Sequence, residues 1–238
     1  NTIPTVTGAN ALAGEANRTF DGSTLGVAGD MTITKAGDNL KADFSNGVNA
    51  NFRILTSGTA SQIGPSTASD IVFLSSNAEK MRMNSSGILT KPLQPAVQAY
   101  VATTQSNIGT GITTVALDAE IYDVNSDFNI SNYTFTAPVT GKYLSTMNLV
   151  LYDFDNSFQW MYLLGVSSNR NYYLNQIDPR MLSQDGIWSF AASTLVDMDA
   201  NDTFQMKVRT SSHGAAQMDI ASGTANATET TMTMTLLS

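Results

Sequence analysis

The sequence predicts an all-β protein, and three observations carry that expectation. Apolar and polar residues alternate with a period of two along most of the chain, the spacing that turns one face of a strand inward. Clusters of glycine, asparagine, serine and aspartate interrupt the alternation at short intervals. Neither heptads nor a sustained helical period occurs.

Composition narrows the function classes. The chain has 238 residues, 42% of them hydrophobic and only 13% charged. The apolar share is enough for a core, and the charged share is about half the usual one. The net charge is −8 and no cluster of lysine and arginine occurs, so no nucleic-acid partner is expected. The absence of cysteine excludes disulfides, thiol nucleophiles and zinc–thiolate sites. It suggests folding in a reducing cytoplasm, with oligomerisation as the stabiliser. No apolar run reaches the roughly 18–20 residues of a membrane-spanning helix, so membrane insertion is not expected. No secretory leader is recognisable, and a chain starting at Asn1 rather than Met is expected to lack its native N-terminus.

Residues 1–30 show little pattern. A short helical turn over Asn10–Arg18 is weakened by Gly14, and Gly8, Gly22, Gly26 and Gly29 read as loop. This segment is expected to be an extended arm or an attachment segment. Residues 31–92 read as a domain of short strands. Met31 and Ile33, then Leu40, Ala42 and Phe44, then Phe52 and Ile54 alternate with polar residues. Ile71–Leu74 is wholly apolar, and Met81 and Met83 alternate with Lys80, Arg82 and Asn84. Gly37-Asp38-Asn39, Ser45-Asn46-Gly47, Thr56-Ser57-Gly58 and Ser85-Ser86-Gly87 punctuate them. Each piece has two or three inward apolar residues, too few to offset chain entropy alone. Three copies around an axis would share a core; a small stand-alone β domain is the plainer reading. Segments of this style, ending in Met81-Arg82-Met83-Asn84-Ser85-Ser86-Gly87, resemble the shaft that precedes the head in tailed-phage fibres. Pro92 and Pro95 stiffen the boundary.

Residues 93–238 read as a head. Val97–Val101, Thr113–Leu117, Glu120–Tyr122 and Asp127–Ile130 are expected strands. Tyr133-Thr134-Phe135-Thr136 then alternates up to Pro138, which cannot donate to a ladder, and Gly141 is expected to supply the backbone angles of a tight reversal. From Tyr143 to Tyr152, Tyr143, Met147, Leu149 and Leu151 share one face, and Leu144, Val150 and Tyr152 the other. Gln159–Val166 is nearly all apolar. Strands apolar on both faces need two covers. A neighbouring subunit would place Tyr143, Leu149, Leu151, Trp160, Tyr162 and Leu163 at an interface; internal loops are the alternative. Phe204, Met206 and Val208 alternate with Gln205, Lys207 and Arg209, which predicts one wet face.

The corner carries a resemblance. A phenylalanine, a proline and then Gly141-Lys142-Tyr143 resemble the globular-head family shared by the complement first component and the tumour-necrosis-factor ligands. Gly186-Ile187-Trp188-Ser189-Phe190 is similar to its sixth strand. Leu195–Asp202 followed by Thr203–Val208 is similar to its leucine, acidic turn and strand, and Thr231–Leu236 to its final strand. Asn201 stands where that family usually has glycine, and asparagine also tolerates left-handed angles. The match covers roughly residues 95–238. It implies a jelly-roll sandwich assembled as a homotrimer, in a fold that hosts many binding roles.

Candidate sites are few. His213 is the only histidine, and its neighbours Ser211, Ser212 and Gly214 read as an exposed loop rather than part of a catalytic triad. Asp197-Met198-Asp199-Ala200-Asn201-Asp202 starts like a calcium loop but lacks the sixth-position glycine and the twelfth-position glutamate, so it reads as a strand-joining turn. No metal site, cofactor or catalytic residue is expected. Tyr152–Trp160 is the densest mixture of acids and aromatics, which makes Asp153, Asp155 and Trp160 candidates for contacting a glycan. Two carboxylates two apart could also serve a glycosidase, but only geometry decides that. Ser168–Tyr173 reads as a second such loop, with Asn169, Arg170 and Tyr172 as candidates; a purely structural loop is the plainer reading of both. Six N-x-Ser/Thr sequons, from Asn17 to Asn226, are given no role in so Ser- and Thr-rich a chain.

The sequence thus points to a structural virion protein of a phage-like virus, exposed on the particle. It would be a homotrimeric fibre or spike whose head meets a host glycan or protein. A capsid decoration, knob or tail-attachment protein without host binding is the first alternative. A bacterial or eukaryotic extracellular binding module is the second, and an enzyme the most distant.

Overall fold

Among the described residues, period-two patterning becomes antiparallel pairing. The computed structural model describes residues 18–20, 25–27, 40–45, 51–57, 60–65, 68–182, 185–212 and 215–238. The chain divides into two units, residues 1–74 with 81–90, and residues 75–80 with 91–238.

The N-terminal unit is built from small ladders. Arg18–Phe20 (β1) pairs with Leu25–Val27 (β2), so Gly26 sits opposite Thr19 in a strand rather than in the expected loop. Leu40–Ser45 (β3), Asn51–Ser57 (β4) and Ala60–Pro65 (β5) form a three-stranded meander. Ile71–Ser75 (β6), Ala78–Met83 (β7) and Leu89–Thr90 (β8) form another. β5 escapes pattern reading because Ile63 is its only large apolar residue. Ser76 and Asn77 both adopt positive φ in the two-residue turn before β7, the backbone that suits strand twist. The Asn84 side chain accepts from the Ser86 and Ile88 amides at 3.0 and 2.9 Å, closing the turn expected at Ser85–Gly87. The expected strand at 31–34 lies outside the described residues, as does the helical turn expected over Asn10–Arg18 except for Arg18, which opens β1.

Ile54, residues 62–65 and residues 68–94 are all exposed or half-buried. Val72, Phe73, Leu74, Met83, Ile88 and Leu89 are exposed, Leu74 to 61%. A half-exposed leucine forgoes about 1 kcal/mol of its burial energy.

The C-terminal unit closes two sheets over one core. Its strands are Ala96–Tyr100 (β9), Gln105–Ile108 (β10), Gly111–Thr114 (β11), Ala119–Asp123 (β12), Phe128–Asn129 (β13) and Thr134–Thr136 (β14). Gly141–Phe154 (β15), Phe158–Ser167 (β16), Asn171–Ile177 (β17), Gly186–Met198 (β18), Thr203–Ser212 (β19), Met218–Ile220 (β20) and Thr231–Leu236 (β21) complete it. The larger sheet runs β10-β20-β15-β21-β9-β12, with β18 on the other side of β15. The smaller runs β13-β14-β19-β16-β17, with β11 beside β19. This is a jelly-roll sandwich. The segment expected as a strand at Thr113–Leu117 leaves the ladder after Thr114, and Val115 and Leu117 are buried outside it.

The core fills from both sheets. Val97, Tyr143, Met147, Leu149, Leu151, Met232 and Met234 meet Phe135, Met161, Leu163, Phe204, Met206 and Val208. Phe135 packs edge-on against Tyr143 at 5.4 Å, and the Tyr143 hydroxyl donates to the Val139 carbonyl at 2.7 Å. Gly141 at the corner does not use a positive φ. It is needed for space instead: a Cβ there would lie 2.5 Å from the Ser238 carbonyl oxygen.

This packing corrects the expected interface. Tyr143, Leu149, Leu151 and Leu163 have no exposed surface within the single chain, so they cannot touch a neighbour. Their inward face is covered by the opposite sheet. On the outward face of β16 Trp160 and Tyr162 stay half-buried and lie 5.1 Å apart edge-to-face, while Leu164 is 2% exposed. A charge at Leu149 or Leu163 would therefore unfold the head rather than report on assembly.

Two substitutions test the core with opposite signs. A Cβ at Gly165 would meet Phe204 Cζ at 2.4 Å, so Gly165→Ala is expected to destabilise the head by about 1–3 kcal/mol in chemical denaturation. The Ser145 hydroxyl is buried without a hydrogen-bond partner, so Ser145→Ala is expected to be neutral or to stabilise by about 1 kcal/mol.

Candidate functional site

The candidate residues fall at opposite ends of β16. The β15–β16 hairpin holds Asp153 and Asp155 at one end. Asp153 is exposed and bends the chain with φ +49°, and the Asp155 carboxylate accepts from the Ser157 amide at 2.7 Å. The hydroxyl and amide of Ser157 hold the Asp155 carboxyl below the usual carboxylate range. With Asp155 committed to its own turn, the hairpin has no pair of free carboxylates for glycosidic acid–base work.

The other end of β16 turns at Ser168–Arg170, and β17 begins at Asn171, so the expected loop over Ser168–Tyr173 is half strand. Asn169 accepts from the Ser167 hydroxyl at 3.0 Å and reaches Asp202 at 3.4 Å. Arg170 lies 6.0 Å over the Tyr172 ring, which itself packs inward toward Phe204. Ten residues of strand separate the two hairpins, a span of about 30 Å. They do not form one site.

Trp160 belongs to neither hairpin. It stands on the outward face of the smaller sheet, where pairing gathers a cluster that spacing in sequence does not show. Tyr162 is directly across from Arg209, and Leu164 is opposite both Tyr173 and Lys207. Tyr162 and Tyr173 meet edge-to-face at 5.4 Å. The Arg209 guanidinium lies 5.4 Å over the Trp160 ring and donates to the Tyr173 hydroxyl at 3.1 Å. Ile112 on β11 is cross-strand to Arg209 and exposed. Among the residues of this cluster, Tyr173 was read from sequence only as loop, and Lys207 and Arg209 only as the wet side of a strand.

The outward face of the larger sheet differs in chemistry. β15 presents Leu144, Thr146, Asn148 and Val150 between the Ser189, Ala191, Ser193 and Leu195 side of β18 and the Thr231, Thr233 and Thr235 side of β21. Charges occur at its ends: Lys142 pairs with Asp197, and the Tyr152 hydroxyl reaches both Glu229 carboxylate oxygens at 2.7 and 2.9 Å. Ile187 and Leu195 project outward with 71% and 57% of their surface exposed.

The acidic turn after β18 is closed by its own members. Asp202 accepts from the Asp199 amide at 3.0 Å, and Asn201 adopts φ +74°, the left-handed angle expected of that position. Among the described residues no group of three or more His, Cys, Asp or Glu could hold a metal. His213 lies outside the described residues.

No protein-family model matches the chain, and no curated protein matches it. Solved structures do. Murine APRIL at pH 8.5 is 12% identical with a TM-score of 0.43, over 60% of this chain and 99% of that one. The globular domain of zebrafish complement 1qA is 14% identical with a TM-score of 0.43, over 61% and 98%. The Eiger TNF of S. frugiperda is 11% identical with a TM-score of 0.43, over 61% and 94%. These are the two groups that the corner and the final strands resemble. At such identities the likeness concerns the chain path alone.

The Asp155 turn predicts an acid dependence. A depressed carboxyl adds stability above its unfolded value, near pH 4, and loses it as pH falls through the folded value. Asp155→Asn is therefore expected to melt below the wild type near neutral pH, with the gap closing at acid pH. A gap that is constant with pH would contradict that assignment.

Proposed function

We propose that this chain is a structural virion protein of a phage-like virus, a homotrimeric fibre or spike whose C-terminal head contacts the host surface. One observation carries the assembly: the N-terminal unit buries none of its described apolar side chains, from Ile54 to Leu89. A strand run such as Ile71–Ser75, exposed at four of its five positions, needs further copies to cover it. The outward face of the larger sheet supplies the matching surface in the head. It is broad, built of small uncharged residues, and crossed by Ile187 and Leu195. Removing uncharged residues of this kind from water avoids the desolvation cost of buried charge.

The role in attachment rests on the shaft-like style of residues 31–92 and on multivalency. Three copies of a weak site on one rigid assembly raise avidity without strong individual contacts. Residues 1–30 would join the chain to other virion proteins. In this reading the head binds and does no chemistry.

Sedimentation equilibrium tests the assembly. The expected mass is three times the 25.4 kDa of one chain. Leu195→Asp, on the surface of the head, is expected to weaken association by about 2–4 kcal/mol per contact while leaving the head's melting intact. A monomeric wild type would overturn the proposal. Blocking of virus adsorption by the purified protein tests the host contact, and undiminished infection at saturating protein would favour a capsid decoration instead.

A further inference from the structure

We propose that the outward face of the smaller sheet binds an acidic glycan, through a carboxylate-bearing sugar. This deepens the head-binding reading above and rests on it. The first support is charge. The chain has 20 acidic residues, yet the six strands of the smaller sheet contain no aspartate or glutamate. They do contain Lys207 and Arg209, two residues apart and so on one face of β19. Neither has a carboxylate partner among the described residues, whereas Lys142, Arg82 and Arg180 each have one. Two unpaired cations on an acid-free sheet, within a protein of net charge −8, form a local positive surface.

The second support is shape. Tyr173 is 51% exposed and is held by Tyr162 at its ring and by Arg209 at its hydroxyl. Trp160 lies beneath the Arg209 guanidinium and fixes that side chain over the sheet. A fixed aromatic face suits the apolar C–H side of a pyranose ring. A guanidinium stacked in place loses little freedom when it pairs with a carboxylate in a two-pronged contact. The exposed Ile112 extends the apolar floor beside Arg209. Stacking holds a sugar ring, and Arg209 with Lys207 selects its carboxylate. A phosphate-rich polymer fits less well, because two cations are too few for it.

Both sialic acids and uronic acids carry the required carboxylate. The test measures binding of the intact protein to sialyllactose against lactose, and to tetragalacturonate against its methyl ester. At least one acidic ligand is expected to bind about tenfold more tightly than its neutral counterpart, and less tightly as salt rises. Arg209→Gln and Tyr173→Ala should each weaken that binding about tenfold, with unchanged thermal melting. Lys91→Gln, which removes the same charge from an exposed position ahead of β9, should leave it unchanged. Binding of neither acidic ligand, equal binding of the neutral counterparts, or full binding by Arg209→Gln would overturn the proposal. A trimer that fails to bind would sink this site and leave the assembly standing. A monomer that binds the acidic sugar would do the reverse.

Discussion

Between Val97 and Met234 two sheets close a core in which Tyr143, Met147 and Leu149 lose all exposure, while Val72, Phe73, Leu74, Ile88 and Leu89 stay exposed within the single chain. That unevenness governs the rest of the molecule. β15 can serve as the central strand of the larger sheet because its odd-numbered side chains from Tyr143 to Leu151 are fully covered by the opposite sheet. Its even-numbered side chains from Leu144 to Val150 are then free to be uncharged on the other face. In the N-terminal ladders Val72, Phe73, Leu74, Met83, Ile88 and Leu89 find no such cover within the single chain. Apolar burial outweighs conformational entropy only where both sides of the contact are present.

Much of the sandwich was legible because its strands alternate strictly. The corner at Pro138–Gly141, the long strands after it, and the one-faced strand from Thr203 all appear where period and punctuation put them. Short strands such as β10 and β20 were not, since three or four residues cannot show a period. The doubly apolar reading of β16 was right about the residues: its inward side lies in the core, and on its outward side Trp160, Tyr162 and Leu164 are flanked by Lys207, Arg209 and Tyr173. Sequence separates Tyr162 from Arg209 by 47 positions, and only the register of β16 on β19 brings them together. In the hairpins read as ligand loops, Asp155 and Asn169 accept hydrogen bonds from Ser157 and Ser167, which sequence alone does not show.

The two outward faces of the sandwich therefore divide the work by chemistry. One is neutral, built of threonine, serine and alanine with Ile187 and Leu195 standing proud, and suits contact with a copy of itself. The other is free of acids, carries two cations and an ordered aromatic cluster, and suits an anionic ligand. In the proposed reading, separating the faces would let assembly and recognition proceed without competing for the same residues. It also places any ligand site once per chain, which is the arrangement multivalent attachment exploits.

Side-chain exposure in the assembled state tests the central claim most directly. Carbene footprinting of the intact protein reads it residue by residue. The account predicts that Leu74, Ile88, Ile187 and Leu195 are shielded in the native protein and become labelled when it is diluted or mildly dissociated with its head still folded. Labelling of all four to the same extent in both states would show that this apolar surface simply faces water, and the assembly would have no physical cause.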